Sequence, residues 1–145
     1  MKNNTETINR IREFNRFYTV ILGILNRNFL GTDYSLTETR ILFELQSNFQ
    51  NTANSLIEKL QIDKSYMSRI LKSFEKKGFI TKQVVSEDKR SYKIQLTQKG
   101  KDKTSELIEV TNRQIEGLVE SLTSSECDEV IGAMDTITKY LSKNL

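Results

Sequence analysis

At 145 residues, the chain has the length of a single domain and can bury enough surface to need no disulfide or metal staple. With no histidine and one cysteine, Cys127, it cannot build an intramolecular disulfide framework or an ordinary His/Cys zinc site within one chain, and it fits a reducing, cytoplasmic setting. The net charge of +3 is unevenly spread: residues 61–103 hold twelve Lys/Arg against five Asp/Glu, a net +7, and the remainder carries −4, a segregation that suits either a polyanionic partner or a plain solvated face.

The opening MKNNTETINRIREF lacks the apolar centre of a secretory signal. No run approaches the roughly 18 apolar residues of a membrane span. The expected location is therefore the cytoplasm, with no membrane partner. The chain has no proline and six glycines, so long helices meet few breakers. From Thr7 to Leu30 the residues Ile8, Ile11, Phe14, Phe17, Tyr18, Ile21, Leu22, Leu25 and Phe29 recur at three- and four-residue spacing. This spacing predicts a long amphipathic helix broken at Gly31, Thr32 and Asp33. SLTE (35–38) reads as a capping box opening a second helix with Ile41, Leu42 and Leu45 inward. A short helix follows Thr52, burying Ala53, Leu56, Ile57 and Leu60, and Asp63 is placed to cap the next.

In residues 64–77, Met67, Ile70, Leu71 and Phe74 share one sector of a helix, and Ser65, Arg69, Lys72 and Lys76 lie opposite, flanked by Ser68 and Ser73. Gly78 is suited to a left-handed helix end. Two β-leaning runs, FITKQVV (79–85) and the end of SEDKRSYKIQL (86–96), then form a hairpin whose tip is Ser86 to Ser91. Thr97 caps a long helix carrying Leu107, Val110, Thr111, Ile115, Leu118, Val119 and Leu122. TSSE (123–126) caps a last one carrying Val130, Ile131, Met134, Ile137 and Leu141. The fold class is mainly α with a small β-hairpin wing: a winged helix-turn-helix over 35–96 flanked by helical regions, 5–31 and 97–145, in one domain spanning 1–145.

These residue types suit DNA. A helix fits the major groove, where Arg69 can offer two donors to guanine O6 and N7 and the serines can meet phosphates or base edges. Lys72 and Lys76 match phosphates, Lys64 is a further candidate contact of the same helix, and the helix N-terminus can present amides to an anion. In the wing, Lys89 and Arg90 can reach a minor groove, with Asp88 holding the Arg90 guanidinium in a bidentate pair. Taken singly, Ser65, Lys72 and Lys76 are equally ordinary exposed helix residues, and Asp88 and Arg90 equally solubilising charges. The functional reading rests on their coincidence on one surface.

LTETRILFEL, TANSLIEKLQIDKSYMSRILKSFEKKGFI and SEDKRSYKIQLTQKG resemble the MarR family of bacterial winged-helix transcription regulators over about residues 36–104, most specifically in the wing pattern D-x-R followed by LT-x-x-G. FNRFYTVILGILNRNFLG and EVIGAMDTI are similar to a subgroup in which this module often precedes an N-acetyltransferase domain. The chain stops before such a domain could start, implying a stand-alone regulator or a module acting without that partner. The resemblance implies a homodimer interleaving the first and last two helices, and the apolar richness of those helices supports it independently. Two recognition helices would meet successive major grooves of a pseudo-palindromic operator.

Carried over by position, Ser65, Ser68, Arg69 and Lys72 become recognition-helix contacts, and Arg90 the minor-groove finger oriented by Asp88. The resemblance also implies repression relieved by a small aromatic or anionic ligand in a crevice between the dimerisation helices and the winged helix. Its candidate walls are Phe14, Phe17, Tyr18, Ile21, Phe43 and Tyr66, although core packing is the commoner role for such residues. Peroxide-sensing relatives carry a cysteine near the end of the first helix, where this chain has none, and Cys127 reads as an inert small side chain. No cofactor or metal is implied. The competing reading is a winged-helix module that docks on a separate protein, such as an acetyltransferase. An enzyme is disfavoured, since the chain has no His, no nucleophile–base pair and no glycine-rich phosphate loop.

Overall fold

The structure is a computed structural model that describes residues 4–25, 28–84 and 92–145. Six α-helices and one hairpin follow in the order α1 (Asn4–Leu22), a 3-10 turn (Phe29–Gly31), α2 (Leu36–Ser47), α3 (Ala53–Leu60), α4 (Lys64–Lys76), β1 (Ile80–Val84), β2 (Tyr92–Leu96), α5 (Gln98–Val119) and α6 (Ser124–Leu141). They divide into two compact units, Met1–Val110 and Thr111–Leu145.

In the first unit a core of Ile41, Leu42, Leu45, Leu56, Met67, Ile70, Leu71, Phe74, Phe79, Ile80, Ile94 and Leu107 joins α2, α3, α4, the hairpin and the start of α5. Each such side chain, fully buried, is worth roughly 1.5–3 kcal/mol. The helix starts are set locally. At α2, Ser35 accepts from the Glu38 amide at 3.1 Å and the Glu38 carboxylate accepts from the Ser35 amide at 3.0 Å. At α3, Thr52 and Ser55 make the equivalent reciprocal pair. Gly78, at φ +77°, takes the left-handed turn that ends α4 and delivers Phe79 to the core.

The strands pair antiparallel from Ile80↔Leu96 to Val84↔Tyr92. The hairpin is fastened at both sides. The Ile94 amide donates to the Asn51 carbonyl at 2.8 Å, while the Thr97 amide donates to the Phe79 carbonyl at 2.9 Å and the Thr97 hydroxyl to the Gly78 carbonyl at 2.5 Å. Thr97 also accepts the Gly100 amide at 3.1 Å, the expected cap of α5.

The first helix is shorter than its apolar spacing predicts. It ends at Leu22, because Gly23 turns left-handed at φ +69° with its amide on the Val20 carbonyl. Phe29 then belongs to the 3-10 turn and is buried. No residue of α1 is buried.

In the second unit, Thr123 and Glu126 form the third capping box. The two hydrogen bonds from Thr123, backbone first and hydroxyl second, hold the Glu126 carboxyl below the usual carboxylate range. That stabilisation is present at neutral pH and is lost as pH falls through the depressed value. No residue of α6 is buried; Val130, Ile131, Met134, Ile137, Tyr140 and Leu141 all stand exposed.

Gly100 supplies a test of this fastening. A Cβ there would lie 2.1 Å from the Phe79 carbonyl oxygen, whereas one at Gly117 would meet nothing within 4 Å. In urea denaturation, Gly100→Ala should cost about 1–3 kcal/mol or more, while Gly117→Ala should stabilise by roughly 0.5–1 kcal/mol.

Candidate nucleic-acid interface

The helix-turn-helix is built from α3, a three-residue turn and α4. Gln61 ends α3 in the left-handed region (φ 53°, ψ 42°), and its side-chain amide donates to the Glu58 carbonyl. Asp63 then caps α4, its carboxylate accepting from the Tyr66 amide at 3.1 Å and its carbonyl from the Met67 amide at 2.9 Å. This modifies one expectation: the first turn of α4 already holds a carboxylate, so an approaching anion meets a negative charge there. The attraction has to come from the cations farther along the helix.

Those cations are in place. Met67, Ile70, Leu71 and Phe74 are buried, and Lys64, Ser65, Ser68, Arg69, Lys72 and Lys76 are exposed. Among the described residues none of Lys64, Arg69, Lys72 and Lys76 forms an ion pair. Glu75, the acid within α4, is drawn aside by Lys82 of β1 at 3.4 Å. Among the described residues these four cations therefore have no ion-pair partner.

Not every cation of the basic segment shares that face. Lys77 and Lys103 lie over the Tyr34 ring, at 4.9 and 5.8 Å from its centre. Lys99 lies over Phe79 and donates to the Lys77 carbonyl. Burial pushes the Tyr34 phenol up, with Lys103 opposing. The hydrogen bond to Glu106 raises Lys103.

The hairpin stands directly beside α4. A cleft of about 170 Å³ lies between them, lined by Asn54, Lys64, Ser68, Lys82 and Tyr92 together with buried Met67, Leu71 and Ile94. Lys82 and Tyr92 join the surface through strand packing, which helix periodicity does not reveal. The strand register carries the hairpin as far as Val84↔Tyr92. Asp88, Lys89 and Arg90 lie beyond it, outside the described residues.

The six candidate ligand-crevice residues are not gathered in one place by any described cavity. Phe14 and Tyr18 stack at 5.4 Å on α1. Phe17 is 61% exposed, Ile21 is half-buried, and Phe43 packs against the core of the first unit. Tyr66 stands on α4 with the Arg69 guanidinium 5.6 Å from its ring centre. A cavity of about 470 Å³ at the end of α2, beside β2 and α5, is lined by Leu45, Gln46, Phe49, Gln95, Leu96, Lys101 and Ser105, none of the six.

The sequence model of the MarR family matches residues 34–92, from Tyr34 ahead of α2 to the first residue of β2. Over that stretch, less than half of its length, the chain is similar to the MarR family. Among curated relatives it is 27% identical to the HTH-type transcriptional regulator SarZ of Staphylococcus saprophyticus over 114 residues, covering 77% of this chain and 75% of that protein. It is 26% identical to the HTH-type transcriptional regulator PapX of Escherichia coli over 98 residues, 68% of this chain and 60% of that protein.

In fold it is similar to Streptococcus pneumoniae FabT in complex with DNA (TM-score 0.77, 18% identity, covering 95% of this chain and 99% of that one). It is also similar to a MarR transcriptional regulator from Methanosarcina mazei Go1 (TM-score 0.73, 21% identity, 97% and 99%). Among the described residues no helix is long and apolar enough to cross a membrane.

The cap at Asp63 gives a measurable consequence. Asp63→Ala should lower stability by about 1 kcal/mol in thermal or urea denaturation, and Asp63→Asn, which keeps the acceptor, should leave it within a few tenths of that of the wild type.

Proposed function

We propose that this chain is a MarR-family regulator, cytoplasmic and homodimeric, that binds double-stranded DNA sequence-specifically and represses transcription until a small aromatic or anionic ligand releases it. The observation that carries the reading is the basic and hydroxyl-bearing face of α4, whose cations form no ion pair among the described residues, with the hairpin beside it. An α-helix of this width enters a major groove, and each cation that neutralises a phosphate releases counterions condensed on the DNA. In this reading Lys64, Lys72 and Lys76 position the helix on phosphates, Arg69 with Ser65 and Ser68 meets base edges, and the wing residues Asp88, Lys89 and Arg90 reach the adjacent minor groove. The winged helix over 35–96 is the DNA-binding region, and 5–31 with 97–145 the dimerisation region.

Dimerisation is supported by α1 and α6, amphipathic helices with no buried residue in the single chain. A two-fold dimer asks for a pseudo-palindromic operator with half-sites about one helical turn apart. The fold neighbour FabT, described in complex with DNA, agrees with the reading.

The test is fluorescence anisotropy on duplexes tiled from the DNA flanking the chain's own gene, at several salt concentrations. Wild type should prefer one duplex, with affinity falling steeply as salt rises. Arg90→Ala should weaken binding by about ten-fold or more. Lys72→Ala should reduce the log–log salt slope by about 1, and Asp63→Asn, which removes a negative charge from the face while keeping the cap, should tighten binding. Ile131→Glu with Met134→Glu should dissociate the dimer in sedimentation and lower DNA affinity. Weak binding to every duplex, unchanged by Arg90→Ala, would instead favour the docking module.

A further inference from the structure

Tyr66 is an aromatic residue on the helix assigned to the DNA, and neither core packing nor a described ligand cavity accounts for it. It is 37% exposed, and its amide is spent on the Asp63 cap. Its ring has a defined neighbour: the Arg69 guanidinium carbon lies 5.6 Å from the ring centre. The spacing explains the contact. Helical side chains lean toward the N-terminus, so a residue three positions on lies across the ring one turn before it. Arg69 forms no ion pair among the described residues, and the nearby acid Asp63 is committed to the helix cap.

From this geometry we propose that Tyr66 is a positioning residue for base reading: its ring holds the Arg69 guanidinium so that the paired N–H donors are presented in a fixed orientation to a guanine edge. The inference rests on the DNA-binding reading above and adds to it the element that sets specificity. A carboxylate can also orient an arginine, but it cancels the charge that the phosphates attract. An aromatic face orients the guanidinium through its quadrupole and leaves both the charge and the in-plane donors free. A guanidinium already held loses less side-chain freedom on reading a base.

Two measurements on the full chain test this. In the DNA-free protein, ¹⁵N relaxation of the Arg69 Nε–Hε group should be unchanged in Tyr66→Phe, which keeps the ring. In Tyr66→Leu, which keeps apolar bulk without it, the group should become as mobile as an ordinary exposed arginine. On DNA, the readout is discrimination between the preferred duplex and one altered at the guanine whose replacement penalises wild type but not Arg69→Ala. Tyr66→Leu should reduce that discrimination about two- to five-fold with non-specific binding unchanged, Tyr66→Phe should not, and Tyr66→Leu should add nothing in the Arg69→Ala background.

Equal Arg69 mobility in wild type and Tyr66→Leu would overturn the proposal even if a preferred operator is found. So would a loss of discrimination that persists without Arg69. If Tyr66→Leu frees Arg69 but wild type prefers no duplex, the DNA-binding reading has failed, and the positioning role falls with it.

Discussion

The winged helix hangs on one buried amide. Asn51 is almost fully enclosed, and its side-chain nitrogen donates to the carbonyls of Glu44 and Asn48, both at 2.9 Å. Its own carbonyl accepts the Ile94 amide of β2, and its side-chain oxygen lies 3.4 Å from the Ser55 hydroxyl of α3. A single residue thus ties the end of α2, the start of α3 and the second strand. A buried amide of this kind is costly to leave unsatisfied, so the three elements keep one arrangement. The hairpin's place beside α4 follows from it.

Charge is arranged around the same frame with a clear division. Inside, Glu44 is buried and held by Arg40 of its own helix at 2.7 Å and by Lys59 of α3 at 2.5 Å, so its charge is matched where it is desolvated. Three lysines of the basic segment lie over the rings of Tyr34 and Phe79. What remains on the outer side of α4 is positive charge with no ion pair among the described residues, and short hydroxyls. The segment's excess of cations therefore serves two ends, bracing the fold and dressing one surface.

How much of this was legible depended on how local the cause was. The capping boxes at Ser35 and Thr123, the Asp63 cap and the left-handed Gly78 each need only a few neighbouring residues, and each appears as the spacing predicts. The buried stripe of α4 follows from helix geometry alone. The end of α1 was not legible, because the apolar pattern of TVILGILNRNF continues through Gly23 and a glycine inside such a pattern is ordinarily tolerated. The part played by Asn51 was hidden because its partners, from Glu44 to Ile94, come together only after folding. Lys82 and Tyr92 beside α4 were hidden for the same reason. At the candidate surface the helix face was readable and its strand-borne edge was not.

The junction between hairpin and helix has a mechanical consequence. One residue, Thr97, separates β2 from α5; its amide donates, and its hydroxyl both donates and accepts. Gly100 presses the first turn of α5 against the Phe79 carbonyl with no room even for a methyl group. Within the first unit the helix that leaves this joint runs over residues 98–110, a rod about 20 Å long. A rod clamped so closely at one end has no slack to absorb tilt. Five degrees of rotation at the clamp sweeps the end of that stretch through about 2 Å, and a push there returns to the strands as torque.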